Sequence, residues 1–165
     1  MPTLVLETFI KAPKDLCFDL SRSIDLHMIS TSKSKEKVVA GRQRGLIEKG
    51  EFVEWEAKHF GLKMRLRSKI SKLDYPNEFL DEMEHGPFKF IYHLHKFTDN
   101  PSGTIMIDQF RFETPLGLPG KLVNYLFLTT YMKKLLEERN AVIKNFAETD
   151  QWKSLPGFEL HINQK

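Results

Sequence analysis

Two histidines and one aspartate are the residues of this chain whose types and spacing could do chemistry. His93 and His95 alternate with other residues in a run rich in aromatic side chains, and Asp108 lies in a second β-rich run. The turn-rich segment 99–103 separates the two runs, a pattern typical of a β-hairpin. Because side chains alternate along a strand, both imidazoles and the carboxylate are predicted to lie on one face of a sheet.

The register of this hairpin follows if the two strands meet across the whole turn segment. Strand residues then pair in steps of two, and each pair places its side chains on the same face. The predicted pairs are Phe97–Thr104, His95–Met106, His93–Asp108 and Ile91–Phe110.

The predicted pair of His93 and Asp108 has two interpretations. A carboxylate beside an imidazole fixes the tautomer of the ring and raises its basicity, as a general base requires. Alternatively, the two groups form a buried polar pair that only satisfies its own hydrogen bonds. Asp81 on the neighbouring strand extends the polar row or pairs with Arg139 of a later helix. His93 and Asp108 are therefore catalytic candidates without an assigned role.

A metal site is the other chemistry that these residues raise. Two histidines at i and i+2 and a carboxylate resemble a two-histidine, one-carboxylate set. The His-x-His spacing also resembles a cupin motif, but a cupin needs a glutamate four or five residues on, and here Asp99 lies in the turn. The prediction is no metal and no cofactor.

Hydrophobic periodicity indicates the elements that position these groups. Val38 to Thr114 contains only strand-like segments punctuated by glycines, which predicts an antiparallel meander. A spacing of three, four and seven residues then predicts one long amphipathic helix, with a stripe formed by Leu122, Leu126, Thr129, Leu136, Ile143 and Ala147. The predicted elements are a strand at 3–11, short helices at 14–21 and 24–29, strands over 38–114, a helix at 119–148 and a tail at 150–165.

The order of these elements and several motifs resemble a known superfamily. Residues 10–13 (Ile-Lys-Ala-Pro) and 18–20 (Phe-Asp-Leu) are similar to the opening of START/polyketide-cyclase-like (SRPBCC) proteins. One subgroup, the bacterial ligand-binding proteins sometimes labelled cell-division-inhibitor-like, has further similar motifs. These are Phe79-x-Asp81, Gly86-Pro87-Phe88, His93-x-His95-x-Phe97, Thr104-x-Met106-x-Asp108 and Pro115-x-Gly117. The similarity covers about residues 3–145, and Ile91 and Phe112 replace the subgroup's Trp and Tyr.

The resemblance implies an α+β helix-grip (START/birch-pollen-allergen-like) fold in a single domain, residues 1–165. A curved antiparallel sheet of about seven strands would wrap around the long C-terminal helix and leave a cavity for a lipid, aromatic or polyketide-like molecule. The alternative is a cyclase/dehydratase- or hydrolase-type enzyme that uses His93 and Asp108 in that cavity. Fold alone does not choose between these functions.

The expected ligand-binding residues are apolar side chains with a few polar ones, which is the usual composition of a small-molecule site. They are Trp55, Leu66, Phe79, Asp81, Met83, Ile91, His93, His95, Phe97, Met106, Asp108, Phe110, Phe112, Tyr125, Thr129 and Arg139.

Composition limits the other partners. The 165 residues carry a net charge of +3, and the basic residues 63, 65, 67 and 69 alternate as the solvent face of a strand, so no nucleic-acid partner is expected. No apolar run is long enough for a membrane span. The single cysteine, Cys17, is predicted to be a buried structural thiol. We therefore expect a cytoplasmic protein with a small hydrophobic ligand, and the sequence identifies no protein partner.

Overall fold

The elements of the chain form one antiparallel sheet and one long helix. The computed structural model describes residues 3–114, 121–156 and 158, with side chains in the last helix from residue 126 onward. The strands are β1 (Thr3–Ile10), β2 (Lys37–Gly41), β3 (Phe52–His59), β4 (Leu62–Asp74), β5 (Glu78–His85), β6 (Phe90–Asn100) and β7 (Gly103–Glu113). The α-helices are α1 (Lys14–Ser21), α2 (Ile24–Ser30) and α3 (Lys121–Glu148), with short 3₁₀ turns at Ser32–Ser34 and Asp150–Ser154.

The sheet has the order β1-β7-β6-β5-β4-β3-β2, with every neighbouring pair antiparallel. Strands β2 to β7 form the predicted meander, and β1 closes the far edge beside β7. Two bulges interrupt the pairing of β4 with β5, and their extra residues are Glu84 of β5 and Ser71 of β4. Because a bulge bends and twists a strand, these sites curve the sheet around α3. The predicted α+β fold class is confirmed.

The predicted register of the β6–β7 hairpin is wrong by two residues. Phe97 pairs with Met106, and His95 pairs with Asp108, because both strands continue through the expected turn as far as Asn100 and Gly103. Only residues 101–102 form the loop, so the strand pairing extends into the Asp-Asn segment. A shift of two residues keeps every side chain on its predicted face.

Gly103 has a packing reason for its position at the start of β7. A Cβ atom there would lie 2.2 Å from the backbone oxygen of Ile10, so no larger residue fits. This close approach fixes the end of β1 against the hairpin.

Helix α3 lies against the concave face of the sheet through its second half. Leu136, Ile143 and Ala147 are buried at the predicted helical spacing. Leu126 was expected on the same stripe but is 58% exposed, because it lies outside the face that packs on the sheet. Arg139 and Asn140 are buried on this stripe as well. The helix therefore presents two polar side chains to the interior.

Two apolar clusters form the core, one at each end of the concave face. The larger one gathers α1, α2 and the end of α3 around Phe18, whose ring makes edge contacts with Phe79 and Phe97. The smaller cluster contains Ile91, Phe110, Phe112 and Leu136. Buried Cys17 belongs to the larger cluster, and burial raises the pKa of its thiol to about 11. This agrees with a structural thiol rather than a nucleophile.

Candidate functional site

A cavity of about 500 Å³ lies between the concave face of the sheet and α3. Most of its wall is apolar. Strands β3 to β7 supply one side, and α3 supplies the other through Leu128, Met132, Leu135 and Leu136. The apolar lining from the sheet is Val53, Trp55, Ala57, Met64, Leu66, Ile70, Phe79, Met83, Ile91 and Phe110.

Polar side chains cross this apolar face in a row over three strands. Asp81 of β5 pairs with His93 of β6, and His95 of β6 pairs with Asp108 of β7. His93 Nε2 donates a hydrogen bond of 2.9 Å to Asp108 Oδ1. His95 Nδ1 lies 2.9 Å from the same oxygen but is not aligned for a hydrogen bond. Both imidazoles therefore meet one buried carboxylate.

Helix α3 completes the surroundings of Asp108. Asn140 Nδ2 donates a hydrogen bond of 2.6 Å to Asp108 Oδ2. Arg139 Nη1 lies 3.6 Å from Asp108 Oδ1, and its Nη2 donates to the backbone oxygen of Ser21 at 2.9 Å. Arg139 thus forms its ion pair with Asp108, whereas none with Asp81 occurs in the described part of the chain. The network joins the sheet, α1 and α3.

The charges in this network follow from burial and contact. Burial alone would raise the pKa of Asp108, but its contacts with His93 and His95 hold that pKa well below the usual range. Burial, together with the nearby His93, lowers the pKa of His95 well below 6.5. Near neutral pH the network therefore contains an ionised Asp108 and a neutral His95. Because Arg139 stays positively charged, it balances the negative charge of Asp108.

His95 makes the stability of the protein depend on pH. The unfolded chain binds a proton at this ring near pH 6.5, whereas the folded chain does so only at much lower pH. Stability is therefore expected to fall as the pH drops below 6.5, by up to about 1.4 kcal/mol per pH unit. Urea unfolding at pH 7.5 and pH 5.5 measures this loss, which His95→Gln should reduce.

The matched control for that measurement is His85→Gln, because His85 lies exposed at the end of β5. Its pH dependence should equal that of the wild type. Asp81 acts in the opposite direction, because burial raises its pKa and a raised carboxyl pKa adds stability as the pH falls. Asp81 is present in both the wild type and His95→Gln, so its contribution cancels when the pH dependence of one is subtracted from that of the other. An unchanged slope in His95→Gln would contradict the assignment.

The same three residues have the composition of a metal site. Ligand atoms of His93, His95 and Asp108 all lie within 4.8 Å of one another. However, the Arg139 guanidinium and the Asn140 amide already contact the Asp108 carboxylate. A divalent cation would meet that positive charge directly, which is unfavourable in a buried site. The arrangement fits a hydrogen-bonded ion pair better than a metal centre.

A second polar group lines the cavity beside β3 and was not predicted from the sequence. His27 Nε2 hydrogen-bonds Glu36 Oε2 at 2.7 Å, and the His27 ring stacks on Trp55. His59 Nδ1 and the Tyr131 hydroxyl are 2.7 Å apart. Although burial opposes it, the hydrogen bond from His27 lowers the pKa of Glu36. These pairs join separate elements, so no local sequence pattern announces them.

The predicted ligand-binding residues fall into two groups. Ten of them line the cavity: Trp55, Leu66, Phe79, Asp81, Met83, Ile91, His93, His95, Phe110 and Arg139. Five others do not line it. Tyr125 lies outside the residues whose side chains are described.

The five that do not line the cavity lie behind its wall or beside it. Phe97 and Met106 pack into the larger core cluster, and Phe112 packs between Phe88 and Phe110. Asp108 contacts both histidines from the side that does not face the cavity. Thr129 is half-buried away from the cavity, and its hydroxyl has no hydrogen-bond partner among the described residues. Alternation predicts the correct face for these strand residues but not their depth along it.

Solved structures resemble this architecture. The chain is similar to TTHA0849 from Thermus thermophilus, at 19% identity over 86% of this chain and 97% of that one, with a TM-score of 0.67. It is also similar to Ara h 8.0201, at 14% identity over 88% and 97% of the two chains, with a TM-score of 0.62. The major latex-like protein 151 of Panax ginseng matches at 16% identity over 88% and 97%, with a TM-score of 0.63. No protein-family model and no curated protein matches the chain.

At such identities the likeness establishes the fold alone. The sheet of seven strands, the two early helices and the long last helix are those of the Bet v 1-like structures, and the chain has their helix-grip fold. The resemblance inferred from sequence motifs is confirmed at this level. Among the described helices, none has the length and apolar character needed to cross a membrane.

Proposed function

We propose that the protein binds one hydrophobic or amphipathic small molecule, lipid-like, aromatic or polyketide-like, in the cavity between sheet and α3. The observation that supports this most directly is the cavity itself, about 500 Å³ with a mostly apolar wall. Small-molecule sites usually span about 300–1,000 Å³ and combine an apolar lining with a few convergent polar groups. A cytoplasmic location is part of the proposal.

Asp81 is the polar group best placed to contact the ligand. It lines the cavity, and its Oδ1 is shielded from solvent with no hydrogen-bond partner among the described residues. Burial raises the pKa of Asp81, and the neighbouring His93 and Ser68 offset this only in part. A carboxyl that is more easily protonated can donate a hydrogen bond as well as accept one. It therefore suits a ligand with a hydroxyl or carbonyl at its polar end.

The unpaired Oδ1 of Asp81 should cost stability and contribute affinity. Asp81→Leu is expected to raise the free energy of unfolding by about 1–2 kcal/mol, because a buried polar atom without a partner is removed. The same change should weaken binding of a hydroxyl- or carbonyl-bearing ligand by about tenfold, the loss of one hydrogen bond. Urea unfolding and calorimetric titration measure the two effects.

Glu82→Leu is the control for that variant, since Glu82 is the next residue of β5 and lies on the opposite face. It should change neither stability nor affinity appreciably. If Asp81→Leu leaves the affinity unchanged, Asp81 does not contact the ligand. The cavity would then bind its ligand through apolar contacts alone.

The hydrogen bond between His93 and Asp108 favours a second candidate, a cyclase/dehydratase- or hydrolase-type enzyme. His93 lines the cavity, and a carboxylate that orients an imidazole prepares it as a general base. The bond occupies Nε2, which leaves Nδ1 as the nitrogen available to a substrate. Binding requires only the cavity and its lining, so it remains the main proposal.

Native mass spectrometry separates these proposals. The mass of the native protein, purified without chelators, is compared with the mass of the denatured chain. The mass of the bound molecule is also measured before and after incubation with the protein. Extra mass of a lipid or an aromatic metabolite supports binding, and a changed ligand mass supports catalysis. Extra mass of a metal ion would instead favour a metal site formed by His93, His95 and Asp108. A crystal structure with a filled interior would contradict the binding proposal.

A further inference from the structure

The tip of the β3–β4 hairpin has an unusual backbone and sequence. His59 pairs with Leu62, so Phe60 and Gly61 alone form the loop, with φ angles of +51° and +78°. A two-residue loop with two positive φ angles favours Asn-Gly, because large side chains rarely adopt this conformation. The chain nevertheless places an aromatic ring there. Residues held in such conformations concentrate at functional sites.

The apolar side chains at this tip are exposed. Phe60 is 55% exposed and Leu62 is 63% exposed. Phe127 of α3, 58% exposed, joins them, with its ring centroid 5.4 Å from that of Phe60. We call Phe60, Leu62 and Phe127 the tip cluster. A group of exposed apolar side chains, two of whose rings are in contact, is typical of an interaction site.

Two lysines flank the tip cluster. Lys58 and Lys63 are directly opposite each other on β3 and β4, and both are exposed. Like charges in this position repel each other, and an anionic partner would relieve this repulsion. Lys63 lies 3.7 Å from Glu56, whereas Lys58 has no ion pair within the described residues. Lys58 therefore offers, beside the tip, a cationic group that no carboxylate of the described residues pairs with.

The tip cluster is continuous with the cavity. Phe60 lines the cavity together with His59 and Tyr131, and the rings of Phe60 and Tyr131 are 4.7 Å apart. If the tip is docked on a surface, a molecule that moves from that surface to the protein would reach the cavity wall directly. The Phe60 ring is thus both exposed to solvent and part of the cavity wall.

We propose that the β3–β4 tip docks on the surface of an anionic lipid bilayer. The tip cluster lies in the interface, and Lys58 and Lys63 contact the anionic headgroups. Aromatic and aliphatic side chains flanked by lysines are the combination that binds bilayer interfaces, whereas a protein groove would require a complementary shape. The docking does not depend on the identity of the ligand in the cavity.

The full chain tests this in flotation with vesicles of pure phosphatidylcholine and of an equimolar phosphatidylcholine–phosphatidylglycerol mixture. We expect binding to the anionic vesicles alone and release at high salt. The double variant Lys58→Gln/Lys63→Gln should weaken binding at least about tenfold. Phe60→Asn should weaken it as well, although asparagine suits the turn and leaves folding intact.

Two matched controls keep the result specific. Lys35→Gln/Lys49→Gln removes the same charge from other exposed positions, and Val5→Asn removes an exposed apolar side chain from β1. Both should bind like the wild type. The proposal is overturned if wild type does not float, or if tip variants and controls lose binding equally.

A dimer of the wild type that Phe60→Asn dissociates, without vesicle binding, would also overturn the proposal and assign the tip to a second copy. Ligand affinity measured without vesicles distinguishes this proposal from the binding function. If tip variants lose flotation but retain ligand affinity, both proposals stand. If the wild type binds vesicles but no ligand, docking stands alone.

Discussion

Replacing Asp108 with alanine is expected to destabilise the folded protein by about 3–5 kcal/mol, the usual cost of breaking a buried ion pair. The variant would leave the Arg139 guanidinium buried without its counter-charge and would deprive His93 and Asn140 of their acceptor. Domains of this size are stable by about 5–15 kcal/mol, so the loss is a large part of the total. Urea unfolding followed by circular dichroism measures it.

The control is Glu137→Ala, which removes an exposed carboxylate of α3 paired with Lys133 one turn away. Such i,i+4 pairs contribute about 0.2–0.5 kcal/mol, so this variant should unfold almost like the wild type. Asp108→Asn retains the volume and one acceptor and should lie between the two. If Asp108→Ala costs less than about 1 kcal/mol, the network around Asp108 does not hold sheet and helix together.

The faces of the strands could be predicted from the sequence because side-chain direction depends only on alternation. His93, His95 and Asp108 share the concave face as expected, although the register assumed for them was wrong by two residues. An error of one residue would have turned a whole strand outward. The register itself depends on how far the two strands continue into the segment Asp99–Asn100, whose composition is typical of a turn. Composition alone does not determine where the strands end.

The sequence contains a signal for the contacts that α3 makes with Asp108. Asn140 follows Leu136 by four residues and precedes Ile143 by three, so it lies on the buried stripe of the helix. A polar residue at such a position predicts a buried hydrogen-bond partner. A pair of Asp81 with Arg139 was one of the two roles predicted for Asp81, whereas the structure pairs Arg139 with Asp108.

The polar pairs beside β3 had no comparable signal. His27 and Glu36 belong to different short segments, and His59 meets Tyr131 across 72 positions of the chain. Their proximity results from the curvature of the sheet and the packing of α3, which no local pattern encodes. The depth of Phe97 and Met106 behind the cavity wall depends on the same packing.

Filling the cavity should weaken ligand binding close to a hundredfold without unfolding the protein. Ala57 of β3 lines the cavity opposite Met64 of β4. An indole at this position in Ala57→Trp would project into the space that the ligand occupies. If it prevents burial of about 100 Å² of apolar ligand surface, the loss is about 2.5 kcal/mol, close to a hundredfold in Kd. Titration with the ligand recovered from the native protein, or with a fluorescent apolar probe, measures the affinity.

The stability of Ala57→Trp distinguishes an occupied cavity from a crowded core. Overpacking a filled core costs about 1–3 kcal/mol, whereas filling an empty cavity leaves the Tm unchanged or raises it. Val5→Trp adds the same indole to the exposed face of β1 and should retain full affinity. If Ala57→Trp is destabilised and still binds normally, the ligand occupies another site. If it is stable and no longer binds, the space between sheet and helix is the binding site.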